Sequence, residues 1–67
     1  MLTITVNSQQ QAIAEQSVLT TLLEQLDIGG GRIAVEINGE IVPRSQFDSH
    51  QLQEGDKIEI VQAIGGG

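Results

Sequence analysis

Sixty-seven residues make one small domain, near the lower size at which a core holds a fold without staples, and leave no room for a buried multi-residue catalytic pocket. Hydrophobic residues form 39% of the chain, Phe47 is its one aromatic, and no cysteine is present, which excludes a disulfide frame, a thiolate zinc site and a cysteine nucleophile. Nine acidic residues against three basic ones, a net charge of −6, argue against phosphate backbones and anionic membranes as partners. Apolar runs are short and no signal-peptide pattern opens the chain, so a cytoplasmic location is expected.

Leu2, Ile4 and Val6 alternate with Thr3 and Thr5, a period of two that predicts a half-buried strand. Polar, turn-like Asn7 to Gln10 leads into Gln11 to Glu15, read as a weaker returning strand, so an N-terminal hairpin is expected. Ser17 then precedes Val18, Leu19, Leu22, Leu23 and Leu26, a spacing that sets five apolar side chains on one helical face, with Thr20, Thr21, Glu24 and Gln25 outward. Ser17 is the expected N-cap and Gly29 the expected C-cap.

Beyond Gly29-Gly30-Gly31, residues 32–37 alternate again, with Ile33, Val35 and Ile37 on one side and Ala34 and Glu36 on the other. Asn38-Gly39 signals a tight hairpin, since both central residues of a type I′ turn need positive φ, and Glu40 to Pro43 is the partner strand. Pro43 cannot donate to a ladder and marks a sheet edge or strand end. Arg44 to Glu54 is polar apart from Phe47 and Leu52 and reads as an irregular or short helical crossover pinned to the core by those two side chains. Gly55-Asp56 turns the chain into a last strand, Lys57 to Ala63.

The order strand, strand, helix, strand, strand, strand predicts an α+β domain: a ubiquitin-like β-grasp, a mixed sheet of about five strands packed on one main helix, with the last strand parallel to the first in the centre. The domain is expected over residues 1–64, with a flexible glycine tail over 65–67. One sheet face is left without a helix, and alternation assigns Ala34, Val42, Val61 and Ala63 to it against inward Ile33, Val35, Ile41, Ile58 and Ile60. Those aliphatics are either a docking surface or ordinary exposed side chains. Arg44 is likewise either an interface anchor or an exposed arginine.

Little in the chain points to chemistry of its own. Gly29 to Gly31 follow a helix and precede a strand, the reverse of a phosphate-binding loop, and no Lys-Ser/Thr follows them. His50 stands alone in a polar connection, without the ligands or nucleophile that a metal site or a general base needs. Glu36 and Glu40 flank the Asn38-Gly39 turn, and Glu54, Asp56 and Glu59 form a second acidic group; both read as a solvated face that meets a basic partner rather than as catalytic or calcium-binding carboxylates.

The last residues are different. An apolar strand runs directly into Gly65, Gly66 and Gly67, backbone that costs most to order and passes channels closed to side chains. Three extended residues reach roughly 10 Å. Such a tail delivers the α-carboxylate of Gly67 into a site on another protein, where conversion to an acyl-adenylate would supply the leaving group that a carboxylate lacks. A frayed terminus is the bland alternative.

Length, the run INGEIVPRSQF, the run LQEGDKIEIVQAI and the terminal GGG together resemble the ThiS sulfur-carrier family across residues 1–67. The resemblance implies a co-substrate rather than an enzyme. An E1-like adenylating enzyme (ThiF-like) would use ATP and magnesium to adenylate Gly67, with the chain itself binding no cofactor or metal. Sulfur from a donor such as a cysteine desulfurase would replace AMP, and thiazole synthase (ThiG-like) would take sulfur from the resulting thiocarboxylate for the thiazole of thiamine. By position Gly67 holds the sulfur, Gly66 and Gly65 thread, and Ile64 and Ala63 lead the tail out of the sheet. A MoaD-like or tRNA-thiolation carrier, a ubiquitin-like modifier, and a binding module with an inert tail remain open alternatives. The free domain is expected to be monomeric.

Overall fold

The computed structural model describes residues 1–28 and 32–62. Strand β1 (Leu2–Val6) pairs antiparallel with β2 (Gln9–Ile13), in register from Leu2 opposite Ile13 to Val6 opposite Gln9. The turn between them is only Asn7-Ser8, at φ 48° and 71°. Two successive positive-φ residues match the right-handed twist of the flanking strands, and asparagine tolerates that region better than most residues. The returning strand therefore starts two residues earlier than the sequence pattern predicts and ends at Ile13.

Helix α1 (Leu19–Gln25) buries Leu19, Leu22 and Leu23, and Leu26 and Ile28 pack partly buried beside them. Ser17 is not its cap. Val18 occupies the N-cap position without a side-chain bond, and the Ser17 hydroxyl donates instead to the Ala14 carbonyl at 2.6 Å. The helix's first N–H groups are satisfied from the crossover: Leu19 N donates to the His50 carbonyl and Thr20 N to the Phe47 carbonyl. At the other end Asp27, at φ 58°, takes the left-handed position, with Asp27 N donating to Glu24 O and Ile28 N to Leu23 O. This double bond pattern is a Schellman closure, so the stop falls before the expected cap, Gly29, which lies outside the described residues.

Strands β3 (Ile33–Ile37), β4 (Glu40–Val42) and β5 (Lys57–Gln62) complete one sheet of order β2-β1-β5-β3-β4. Strand β5 lies parallel to β1 and antiparallel to β3, the central placement that the sequence predicts. Asn38 and Gly39 turn at φ 53° and 87°. A short 3₁₀ turn, Arg44–Gln46, opens the crossover, which Phe47 and Leu52 pin into the core as expected. The core lies between α1 and the sheet, with Ile4, Ile13, Leu19, Leu22, Val35 and Ile58 its most deeply buried side chains. No helix among the described residues is long and apolar enough to cross a membrane.

One face assignment is reversed. Val42 is buried and Ile41 is 63% exposed. A two-residue turn fixes Ile37 opposite Glu40, so Val42 falls opposite Val35 on the helix side and Ile41 falls opposite Glu36 on the uncovered side. Chemical denaturation checks this correction: Val42→Ala costs about 2 kcal/mol from lost burial and a residual cavity, whereas Ile41→Ala changes stability by less than about 0.5 kcal/mol.

Candidate functional site

The tail segment Ala63, Ile64, Gly65, Gly66 and Gly67 lies outside the described residues, but the strand that leads to it is described throughout. Strand β5 is paired with β3 from Ile58, opposite Ile37, to Gln62, opposite Ile33. On its other side Thr5 N donates to Asp56 O and Asn7 N to Ile58 O, each at 2.9 Å. The Asn7 side chain extends this pairing past the end of β1. Its Oδ1 accepts from Ile60 N at 2.8 Å, and its Nδ2 donates to Ile60 O at 3.2 Å. A single amide thus stands in for the next residue of a strand.

A matching clamp holds the start of β5. Asn38 Oδ1 accepts from Lys57 N at 3.0 Å, and Asn38 Nδ2 donates to Asp56 Oδ1 at 3.0 Å. The buried Asp56 carboxylate also accepts from Gln53 N at 2.9 Å. Sequence reasoning treated Asn7 and Asn38 as turn residues only. Their side-chain role was not visible, because it depends on both turns lying beside β5.

The face without a helix carries Thr3 and Thr5 from β1, Ala34 and Glu36 from β3, Ile41 from β4, and Lys57, Glu59 and Val61 from β5, by the pairing register. Ala34 and Val61, both expected there, stand opposite each other, and Val61 is 65% exposed. Arg44 does not belong to this face. It lines a groove of about 280 Å³ on the helix side, with Thr20, Leu23, Glu24, Ile33, Phe47 and Asp48. Thr20 Oγ1 donates to Asp48 Oδ1 at the edge of that groove, tying helix to crossover.

The acidic residues do not gather as their sequence spacing suggested. Glu36 and Glu40 lie on opposite sheet faces, since Glu36 stands opposite Ile41 and Glu40 opposite Ile37. Glu54 accepts from Thr3 N at 2.9 Å, Asp56 is buried, and Glu59 projects outward opposite Glu36. Among the described residues no group of three or more histidine, cysteine, aspartate or glutamate side chains is placed to hold a metal ion. His50 contributes its backbone, donating to Gln46 O and accepting from Leu19 N.

A mixed five-stranded sheet wrapped on one helix, with the last strand central, defines the ubiquitin-like β-grasp class. A model of the ThiS family matches residues 3–67. The chain is 43% identical over 61 residues to the sulfur carrier protein ThiS of Escherichia coli, covering 91% of this chain and 92% of that protein. It is 36% identical over 64 residues to a thiazole synthase of Paramagnetospirillum magneticum, covering 96% of this chain but only a fifth, 20%, of that protein. A crystal structure of the thiamine biosynthesis protein ThiS from Geobacter metallireducens superposes with a TM-score of 0.83 at 33% identity, covering 98% of this chain and all of that one. The chain belongs to the ThiS family.

The Asn7 clamp is open to direct measurement. Asn7→Gly keeps the positive φ without strain and removes both bonds to Ile60, at an expected cost of about 1–3 kcal/mol. Native-state hydrogen exchange should show the Ile60 amide losing protection more than that of Val35.

Proposed function

We propose that the chain is a sulfur carrier of thiamine biosynthesis, a co-substrate whose reactive group is the α-carboxylate of Gly67. The observation that carries this reading is the ThiS family match, which runs through the terminal Gly66-Gly67 and includes the whole of β5. A carboxylate oxygen of Gly67 attacks the α-phosphorus of ATP on an adenylating partner, and magnesium pyrophosphate leaves. The terminal sulfur of a persulfide generated by a cysteine desulfurase then adds to the acyl carbon, AMP departs with the bridging oxygen, and a thiol cleaves the S–S bond of the resulting acyl disulfide, leaving the thiocarboxylate on Gly67 and a disulfide on the donor side. Thiazole synthase takes its sulfur from that group. The name carried by the Paramagnetospirillum relative supports this last step, since there a stretch similar to this chain is one fifth of a protein called thiazole synthase.

In this scheme the domain supplies a fixed root and the tail supplies reach. Ala63 and Ile64 continue from the clamped β5, and Gly65, Gly66 and Gly67 enter a channel that admits backbone only. The absence of cysteine from the chain leaves the terminal carboxylate as the position for covalent sulfur.

Intact-mass measurement after incubation with ATP, magnesium, the adenylating enzyme and a sulfur donor tests the reading. A thiol-alkylating reagent should add one group to this cysteine-free chain, mapped to Gly67; the alkylation matters because Met1 oxidation mimics the nominal mass change of sulfur for oxygen. Deleting Gly67 should abolish both the adduct and thiazole sulfur transfer, with thermal unfolding unchanged. A truncated chain that still supplies thiazole sulfur defeats the proposal.

A further inference from the structure

The uncovered sheet face carries a pairing that works against the free domain. Glu36 and Glu59 stand directly opposite each other across β3 and β5. Opposed residues in an antiparallel pair have Cβ atoms about 4.5–5.5 Å apart, and like charges there are destabilising. Among the described residues neither glutamate is in an ion pair; the pair found there joins the Met1 amino group to Glu15. Exposed aliphatics frame the two charges. Ile41, 63% exposed, stands opposite Glu36, and Val61, 65% exposed, lies two residues beyond Glu59 and opposite Ala34. At a strand spacing of 4.7–4.9 Å, Ile41, Glu36 and Glu59 form one row about 10 Å long.

We infer that this row is a docking surface for a protein that places an arginine or lysine between Glu36 and Glu59 and aliphatic side chains over Ile41 and Val61. Charge decides the occupant. A second copy would bring a further net charge of −6 and another glutamate pair to the same contact. A basic side chain instead satisfies two carboxylates at once, while cover over Ile41 and Val61 expels water and strengthens the ionic contact. The cost of opposing the glutamates in the free domain is then relieved on binding. Lys57, on this face two residues before Glu59, stands opposite Thr5 on β1, and among the described residues it forms no ion pair with either carboxylate.

The inference rests on the sulfur-carrier reading for its probe, the thiazole synthase of the same organism. Binding of the full-length chain to that enzyme is titrated at low and high salt, for wild type, Glu36→Gln/Glu59→Gln and Ile41→Ser. Wild-type affinity should fall as salt rises. The double glutamine variant should bind about tenfold more weakly with a flatter salt dependence, yet unfold at a higher temperature than wild type when free. Ile41→Ser should weaken binding about tenfold and keep the wild-type salt dependence. A double variant that binds as tightly as wild type with the same salt dependence, or that unfolds at a lower temperature, overturns the inference, as does a wild-type chain whose binding ignores salt. Thiocarboxylate formation on wild-type Gly67 separates the two readings: its presence with any of those overturning results refutes the docking row alone, and its absence refutes the carrier reading.

Discussion

The first and last strands lie side by side and run in the same direction, and the rest of the molecule is arranged around that contact. A hairpin cannot make parallel neighbours; a crossover must carry the chain from one end of the sheet back to the other. Here α1, the β3–β4 hairpin and the connection through Phe47 and Leu52 do so, and each leaves apolar side chains in the space between helix and sheet. The ladder itself is short, with Thr5 opposite Lys57 and Val6 opposite Ile58. Asn7 lengthens it at Ile60, Asn38 lengthens the β3–β5 pairing on the other side of β5, and each asparagine is used twice. Asn7 and Asn38 adopt the positive φ that their turns require, and each turns its amide onto β5, Asn7 at Ile60 and Asn38 at Lys57 and Asp56. Both tight turns therefore also act as clamps on the central strand.

Local pattern carried most of this fold, and it failed where pairing partners decide. The alternation in β1, β3 and β5, the leucine spacing of α1 and the Asn38-Gly39 turn each have a local cause and were legible. Strand β4 was misread although the information was present. A two-residue turn after inward Ile37 makes Glu40 its neighbour, which sends Ile41 outward and Val42 inward; alternation alone, without the register that the turn imposes, put Ile41 inward and Val42 outward. Capping was misplaced for a different reason. Ser17 and Gly29 have favoured residue types, but crossover carbonyls already serve the first helical N–H groups, and Asp27 supplies the left-handed turn before the glycines are reached. The opposition of Glu36 and Glu59 could not be read at all, because nothing local sets the register between β3 and β5.

The family was legible in the sequence: the resemblance carried by the central runs and the terminal glycines agrees with the family that matches residues 3–67. The glycine tail itself lies outside the described residues, and the structure describes the strand that leads toward it. Strand β5 is bonded to β3 up to Gln62 and to Asn7 at Ile60, and its Ile58 side chain is fully buried. In the proposed scheme such a base helps, because less orientational freedom is left to be lost when the tail is bound.

Recognition and stability are carried by alternate residues of the same strands. On β3 and β5 the inward set, Val35, Ile37, Ile58 and Ile60, forms core against α1, while the outward set, Ala34, Glu36, Glu59 and Val61, lies by register on the face without a helix. A period of two keeps the sets apart, so a change in the outward set leaves core volume untouched. That separation explains how a domain of this size, with a wholly aliphatic core apart from Phe47, tolerates two opposed glutamates. The repulsion is set against a core that does not depend on the residues producing it.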